Sequence, residues 1–112
     1  SGGEFEAAAA LLRWSKEHAD DSALSQLAQL RLARVLWAQG DAEAALELLD
    51  QELGPYTSAA AELRGDILVA QDKRAEARSA YAQALASAPR EARELLQQKL
   101  DDLADAAEAQ DA

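Results

Sequence analysis

Three stretches of the chain can be laid over one another: Gly3-Glu4-Phe5-Glu6-Ala7-Ala8, Gly40-Asp41-Ala42-Glu43-Ala44-Ala45 and Asp72-Lys73-Arg74-Ala75-Glu76-Ala77. Each is a turn residue followed by a polar opening and small alanines. In each, the last alanine precedes by four positions a larger apolar residue, Leu12, Leu49 or Tyr81, the spacing that stacks two side chains on one helix face. A repeat of roughly 35 residues constrains the fold more than any single motif, because such a unit cannot bury its apolar face alone and must stack on its neighbours.

The residues between the turns say what is being stacked. Leu27, Leu30, Ala33 and Leu36-Trp37 precede the second turn, and Leu63, Gly65, Leu68 and Val69 precede the third, both at helical and not strand intervals. Alanine (29 residues) and leucine (18) dominate the apolar positions, while Val35, Val69 and Ile67 are the only β-branched aliphatic residues, which argues against a sheet. The chain therefore reads as all-α, with six helices near 4–19, 22–39, 41–53, 57–71, 73–87 and 89–107. Asp21 or Ser22, Asp41, and Thr57 or Ser58 are expected as N-caps, and Pro89 as an opening residue. These group into a partial unit 1–21, a unit 22–55, a unit 56–88 and a capping helix 89–104, whose stripe Ala92, Leu96, Leu100 and Leu103 leaves a wet back. Residues 105–112, with Asp105, Glu108 and Asp111 and no large apolar side chain, are expected to fray.

Several function classes fall away on chemistry. A formal charge of −10 disfavours nucleic acid and anionic lipid as direct partners. No cysteine is present, so disulfides, thiolate zinc sites and cysteine nucleophiles are absent from the reading. No apolar run approaches a membrane span. The single histidine, His18, sits near a helix end, where a cation suits the helix dipole. The pairs Asp20-Asp21 and Asp101-Asp102 point about 100° apart on a helix and fit capping and solvation better than metal ligation. The serines lack a His–Asp set and there is no glycine-rich phosphate loop. The expectation is no enzyme, no metal and no cofactor.

The small residues carry a resemblance. Gly65, Ala77, Tyr81, Ala84 and Pro89 fall at the small, small, aromatic, small and proline positions of the tetratricopeptide repeat, and Ala33, Ala45 and Leu49 repeat the first three of these. Ala8 and Leu12 keep only the second helix in register, and the segment from Glu52 to Gly54-Pro55 departs from the pattern as a shortened junction. Small residues are needed because helices crossing at close range have no room for larger ones. The resemblance implies a tetratricopeptide-repeat solenoid of antiparallel helical hairpins closed by a C-terminal capping helix. On its concave face it would place Leu27, Leu30, Arg34, Trp37, Glu62, Asp66 and Val69 as a peptide-binding groove. Trp37 fits either a core position or an exposed anchor. Arg34 and Asp66 fit either ligand contacts or a mutual pair. Arg31 and Arg64 suit an acidic partner or a solvated face.

A narrower resemblance lies in three strings in order: Leu30-Arg31-Leu32-Ala33-Arg34-Val35-Leu36 with Ala38-Gln39-Gly40, then Ala61-Glu62-Leu63-Arg64-Gly65-Asp66-Ile67-Leu68, then Gln98-Lys99-Leu100-Asp101-Asp102-Leu103-Ala104. Together they resemble the periplasmic repeat domain of the ancillary SecYEG translocon subunit family. That resemblance implies a non-enzymatic, chaperone-like scaffold, the exported part of an inner-membrane-anchored protein. Its partners would be translocon subunits, a membrane-bound periplasmic chaperone and exported polypeptides, and this segment itself would make no direct membrane contact. The alternative is a structural module that dimerises through its open helical end, where the Leu11-Leu12 side has no first helix to cover it.

Overall fold

A computed structural model describes the backbone of residues 2–111 and the side chains of residues 2–104. All regular structure in it is helical: α1 (Gly2–His18), α2 (Ser22–Ala38), α3 (Ala42–Leu49), a 3-10 turn (Gly54–Tyr56), α4 (Thr57–Ala70), α5 (Arg74–Ala86) and α6 (Arg90–Asp111). The chain is an all-α helical repeat. It divides into two compact units, residues 1–57 and 58–112. The first unit thus holds α1 to α3 and the 3-10 turn. The second holds α4 to α6, with Thr57 at the boundary. The expected acidic tail at 105–112 lies outside the residues whose side chains are described.

In the first unit α2 packs against both α1 and α3. Its core includes Ala9, Ala28, Leu30, Leu32, Ala33, Leu36, Ala45, Leu49 and Leu53, all buried. Asp21 caps α2 by accepting from the Ala23 N–H at 2.8 Å, and Asp41 caps α3 by accepting from the Ala44 N–H at 3.1 Å. α3 stops at Leu49, four residues short of the expected end. The chain bends there so that Leu53 can bury, and Glu52 accepts from the Gly54 N–H at 2.8 Å to hold the bend. The exposed end of α3 is satisfied from α2: the buried Gln29 amide donates to the Leu48 carbonyl at 2.7 Å and to Gln51 Oε1 at 3.0 Å.

In the second unit Ala61 and Leu68 of α4, Ala77, Ala80, Tyr81 and Ala84 of α5, and Leu96 and Leu103 of α6 form one core. The start of α4 corrects the expected capping. Thr57 donates its hydroxyl to the Gly54 carbonyl at 2.7 Å, and Ser58 donates to the Ala84 carbonyl at 2.8 Å, so both hydroxyls expected as caps reach carbonyls outside α4. The 3-10 turn with Pro55 at its start leads directly into α4 instead, and Ser58 satisfies the end of α5.

The turns at 40 and 72 are the same device. The Gly40 N–H donates to the Trp37 carbonyl and the Asp41 N–H to the Leu36 carbonyl, both at 2.9 Å; Asp72 and Lys73 make the same two bonds to Val69 and Leu68. This Schellman pattern needs a left-handed residue, and φ is 91° at Gly40 and 61° at Asp72. The alignment of these turn positions in sequence thus corresponds to a shared backbone geometry.

Candidate functional site

The crossing of α4 and α5 shows why a glycine stands at 65. A Cβ there would overlap the Tyr81 ring, which lies directly against the α4 backbone. Tyr81 cannot slide away freely, because its hydroxyl donates to Asp66 Oδ1 at 2.6 Å. Close approach therefore places a phenol beside two α4 carboxylates, Glu62 and Asp66, one helical turn apart. Lys99 of α6 closes the cluster, donating to Glu62 Oε2 at 2.8 Å and Asp66 Oδ1 at 2.9 Å. Its ammonium also lies 5.5 Å from the Tyr81 ring centre.

The cluster shifts the protonation of Tyr81 and Lys99. Burial first, then the hydrogen bond to Asp66 and the charges of Asp66 and Glu62, push the Tyr81 hydroxyl well above the ordinary tyrosine range. Burial pulls the Lys99 ammonium down, but its bonds to Glu62 and Asp66 outweigh this and hold it above the usual lysine value. Both groups stay protonated at neutral pH. Val69, Tyr81, Lys99, Asp102 and Leu103 line a shallow cavity of about 230 Å³ beside the cluster. Glu62, Asp66 and Asp102 against one ammonium leave this face net negative.

Of the expected groove residues, the second unit thus brings Glu62 and Asp66 together on Lys99 and leaves Val69 41% exposed at the cavity rim. In the first unit Arg34 is exposed, while Trp37 and Leu27 are half-buried. Leu30 corrects the expectation: at 3% exposed it is core and offers no surface to a ligand. Lys99 was not among the expected site residues, and its acids lie 37 and 33 positions away in sequence. Only its place beside the stripe of α6 hinted at a role.

The first unit has its own concave surface. Leu12, Trp14, Ser15 and His18 of α1 and Leu24, Leu27, Ala28 and Arg31 of α2, with Ala19, line an open groove of about 310 Å³. Trp14 is 59% exposed and stacks on His18 with ring centres 4.4 Å apart, and the His18 ring bonds to the Trp14 carbonyl through Nδ1 at 2.8 Å. Among the described residues no three metal-ligating side chains converge, and no helix is long and apolar enough to cross a membrane.

The comparisons with known proteins agree with the all-α helical repeat. Residues 1–105 match the family described as a tetratricopeptide repeat-like domain. The chain is 38% identical over 102 residues to the ancillary SecYEG translocon subunit of Neisseria gonorrhoeae, an alignment that covers 88% of this chain and 49% of that protein. It therefore spans about half the length of the curated relative it matches. No solved structure matches. With a family match over nearly its whole length and small residues at its helix crossings, the chain belongs to the tetratricopeptide repeat-like domain family.

Proposed function

We propose that the chain is a protein-interaction scaffold associated with the Sec translocon, which holds polypeptide segments against its first helices in a chaperone-like role on the periplasmic side. The observation that carries the translocon link is the 38% identity to an ancillary SecYEG translocon subunit across 88% of the chain. Translocon subunits, a membrane-bound periplasmic chaperone and exported polypeptides are the partners this reading names. The work is binding and not catalysis, and the binding faces follow from local chemistry.

Leu27, Arg34 and Trp37 give α2 apolar area beside an exposed cation. Val69 gives α4 apolar area beside the net-negative cluster of Glu62 and Asp66, which suits a segment bearing a basic residue next to an apolar one. Site-specific photo-crosslinking from Trp37 and Val69 in membranes containing the translocon tests this. Crosslinks to translocon subunits or exported chains are expected, and their capture should fall with Trp37→Ala combined with Arg34→Ala. Unchanged capture by that variant removes α2 from the binding face, and no crosslink to any translocon-associated protein removes the translocon link.

A second reading draws on the exposed large apolar residues at one end, Leu11 (65%), Trp14 and Leu24 (58%). In it the module self-associates through that end and has no client of its own. Sedimentation decides: a stable dimer that persists when Arg34 and Trp37 are replaced favours it, and a monomer at all concentrations removes it.

A further inference from the structure

The α4 face proposed to hold a basic client residue already holds one of the chain's own. The Lys99 ammonium, carried by α6, donates to Glu62 Oε2 and to Asp66 Oδ1, two carboxylates one turn apart on α4. This intrachain occupant shows which chemistry the pair accepts. It also means that an incoming cation meets carboxylates already in use.

The occupation is incomplete. One positive charge faces both acids, and a third carboxylate, Asp102, lines the cavity beside them. The Tyr81 hydroxyl donates to the same Asp66 Oδ1 that Lys99 uses, so Glu62 Oε1 and Asp66 Oδ2 take no donor from the described residues. The Glu62 and Asp66 side chains stay 27% and 32% exposed, open enough for a second partner. The three groups also differ in freedom. Tyr81 helps to fix Asp66 in place, whereas Lys99 reaches the pair on a flexible aliphatic stem that can leave without any movement of α6. Asp102 gives the ammonium a second place to rest: it follows Lys99 by three positions, the spacing of neighbours on a helix surface, and lines the same cavity.

We propose that Lys99 is a built-in competitor for the basic side chain of a client, screening the Glu62 and Asp66 pair in the free chain and moving to Asp102 when a client residue takes its place. The inference rests on the reading of the α4 face as a client-holding surface, and adds what sets its affinity. A tethered ammonium acts at high effective concentration, so a client's lysine, bringing the same group, displaces it poorly. An arginine is the better occupant, since its planar fork bonds two carboxylates at once and sheds its water more readily than an ammonium. An apolar residue beside that arginine then lies against Val69, 41% exposed at the cavity rim.

The test uses short capped peptides of alanine and leucine with one central arginine, lysine or glutamine, titrated into the full chain by calorimetry. The arginine peptide should bind more tightly than the lysine peptide. Lys99→Met should tighten both by the same factor, about fivefold, the size for displacing a partly exposed ion pair, because a competitor scales every ligand for one site alike. The glutamine peptide should gain nothing. Neutralising the exposed Arg90 at the start of α6, by Arg90→Met, makes the same change in net charge and should leave binding as it was. Asp102→Asn should weaken the arginine peptide more in the unchanged chain than in the Lys99→Met variant, since only the former needs a resting place for its lysine. Lys99→Met removes a stabilising pair, so tighter binding by that variant does not come from better folding. Unchanged or weaker binding by Lys99→Met overturns the competitor and leaves the client face standing. An equal gain from Arg90→Met, or a gain for the glutamine peptide, overturns it as well. If no peptide binds any variant, the α4 face holds no basic client residue, and the competitor falls with it.

Discussion

The two units build the same helix crossing from different pairs of side chains. In the first unit the small position is Ala33 and the large one Leu49; in the second they are Gly65 and Tyr81. Moving the volume from one helix to the other keeps the crossing filled, but it changes what the crossing can do. Leucine ends in methyl groups. Tyrosine carries a hydroxyl past Gly65 to Asp66, at the edge of the Glu62, Asp66 and Lys99 cluster. The second unit thus gains a polar site from the packing solution it uses, and the crossing of α2 and α3 in the first unit stays apolar.

Exchanging the pairs tests whether the crossing volumes are equivalent. Gly65→Ala adds a Cβ inside the space of the Tyr81 ring, and overpacking of this kind costs about 1–3 kcal/mol. The gain in helix propensity, about 1 kcal/mol, offsets only part of it. The urea midpoint should therefore fall for Gly65→Ala, and Tyr81→Leu alone should also destabilise by opening a cavity. The double variant recreates the pair of the first unit and should be more stable than the two single effects summed, a coupling that a double-mutant cycle measures directly. A neutral Gly65→Ala would mean that the ring slides aside and that the two crossings differ less than their side chains suggest.

What could be read from the sequence follows the same line between volume and polarity. Ala33, Ala45, Ala77 and Ala84 fall at fixed intervals, and all four have no exposed surface; steric need repeats along the chain, so it is visible in the pattern. Lys99 and Gln29 act through long side chains that reach another helix, and a period cannot reveal where their ends lie. Gln29 sits inside an otherwise apolar stripe and looks like a defect until the bare carbonyl of Leu48 is placed beside it. Leu30 was misplaced for a related reason: a helix packed on both sides has a wide apolar arc, and the repeat position alone does not mark its edge. The early end of α3 depends on burial of Leu53, a tertiary effect that overrides local helix preference.

Removing the cation of the cluster is the next test. Lys99 is about one-quarter exposed, so solvent screening reduces the effect of Lys99→Met to about 1 kcal/mol. Its pH signature separates it from a simple packing change. The Lys99 ammonium is held above its usual value, so its contribution is complete below the unfolded pKa and is lost as pH rises through the folded one. The Tyr81 hydroxyl is raised as well, and an unfolded tyrosine releases its proton near pH 10 while the folded one keeps it. Both terms act in the same direction, weakening the fold above about pH 10. Urea unfolding at pH 8 and pH 11 should show a smaller loss of stability for Lys99→Met with Tyr81→Phe than for the unchanged chain. Equal losses would place the alkaline sensitivity outside the cluster.

The turns give the smallest effect and the sharpest comparison, because their hydrogen bonds are the same and only the left-handed residue differs. Asp72 occupies φ of 61°, a conformation that costs an L-residue about 1 kcal/mol relative to glycine. Replacing it with glycine relieves that cost, but it frees the unfolded chain and removes the exposed 3.5 Å pair with Arg74, which contributes little. A net gain of about 0.5 kcal/mol is expected for Asp72→Gly, read as a small rise in the urea midpoint with an unchanged slope. Gly40→Asp is the reciprocal change. Nothing lies within 4 Å of a Cβ built at Gly40, so only the backbone conformation opposes it, and the loss should match the gain in size. A much larger loss at 40 than gain at 72 would show that the turns share a hydrogen-bond pattern without sharing an energy, and that Asp72 is stabilised there by a contact of its own.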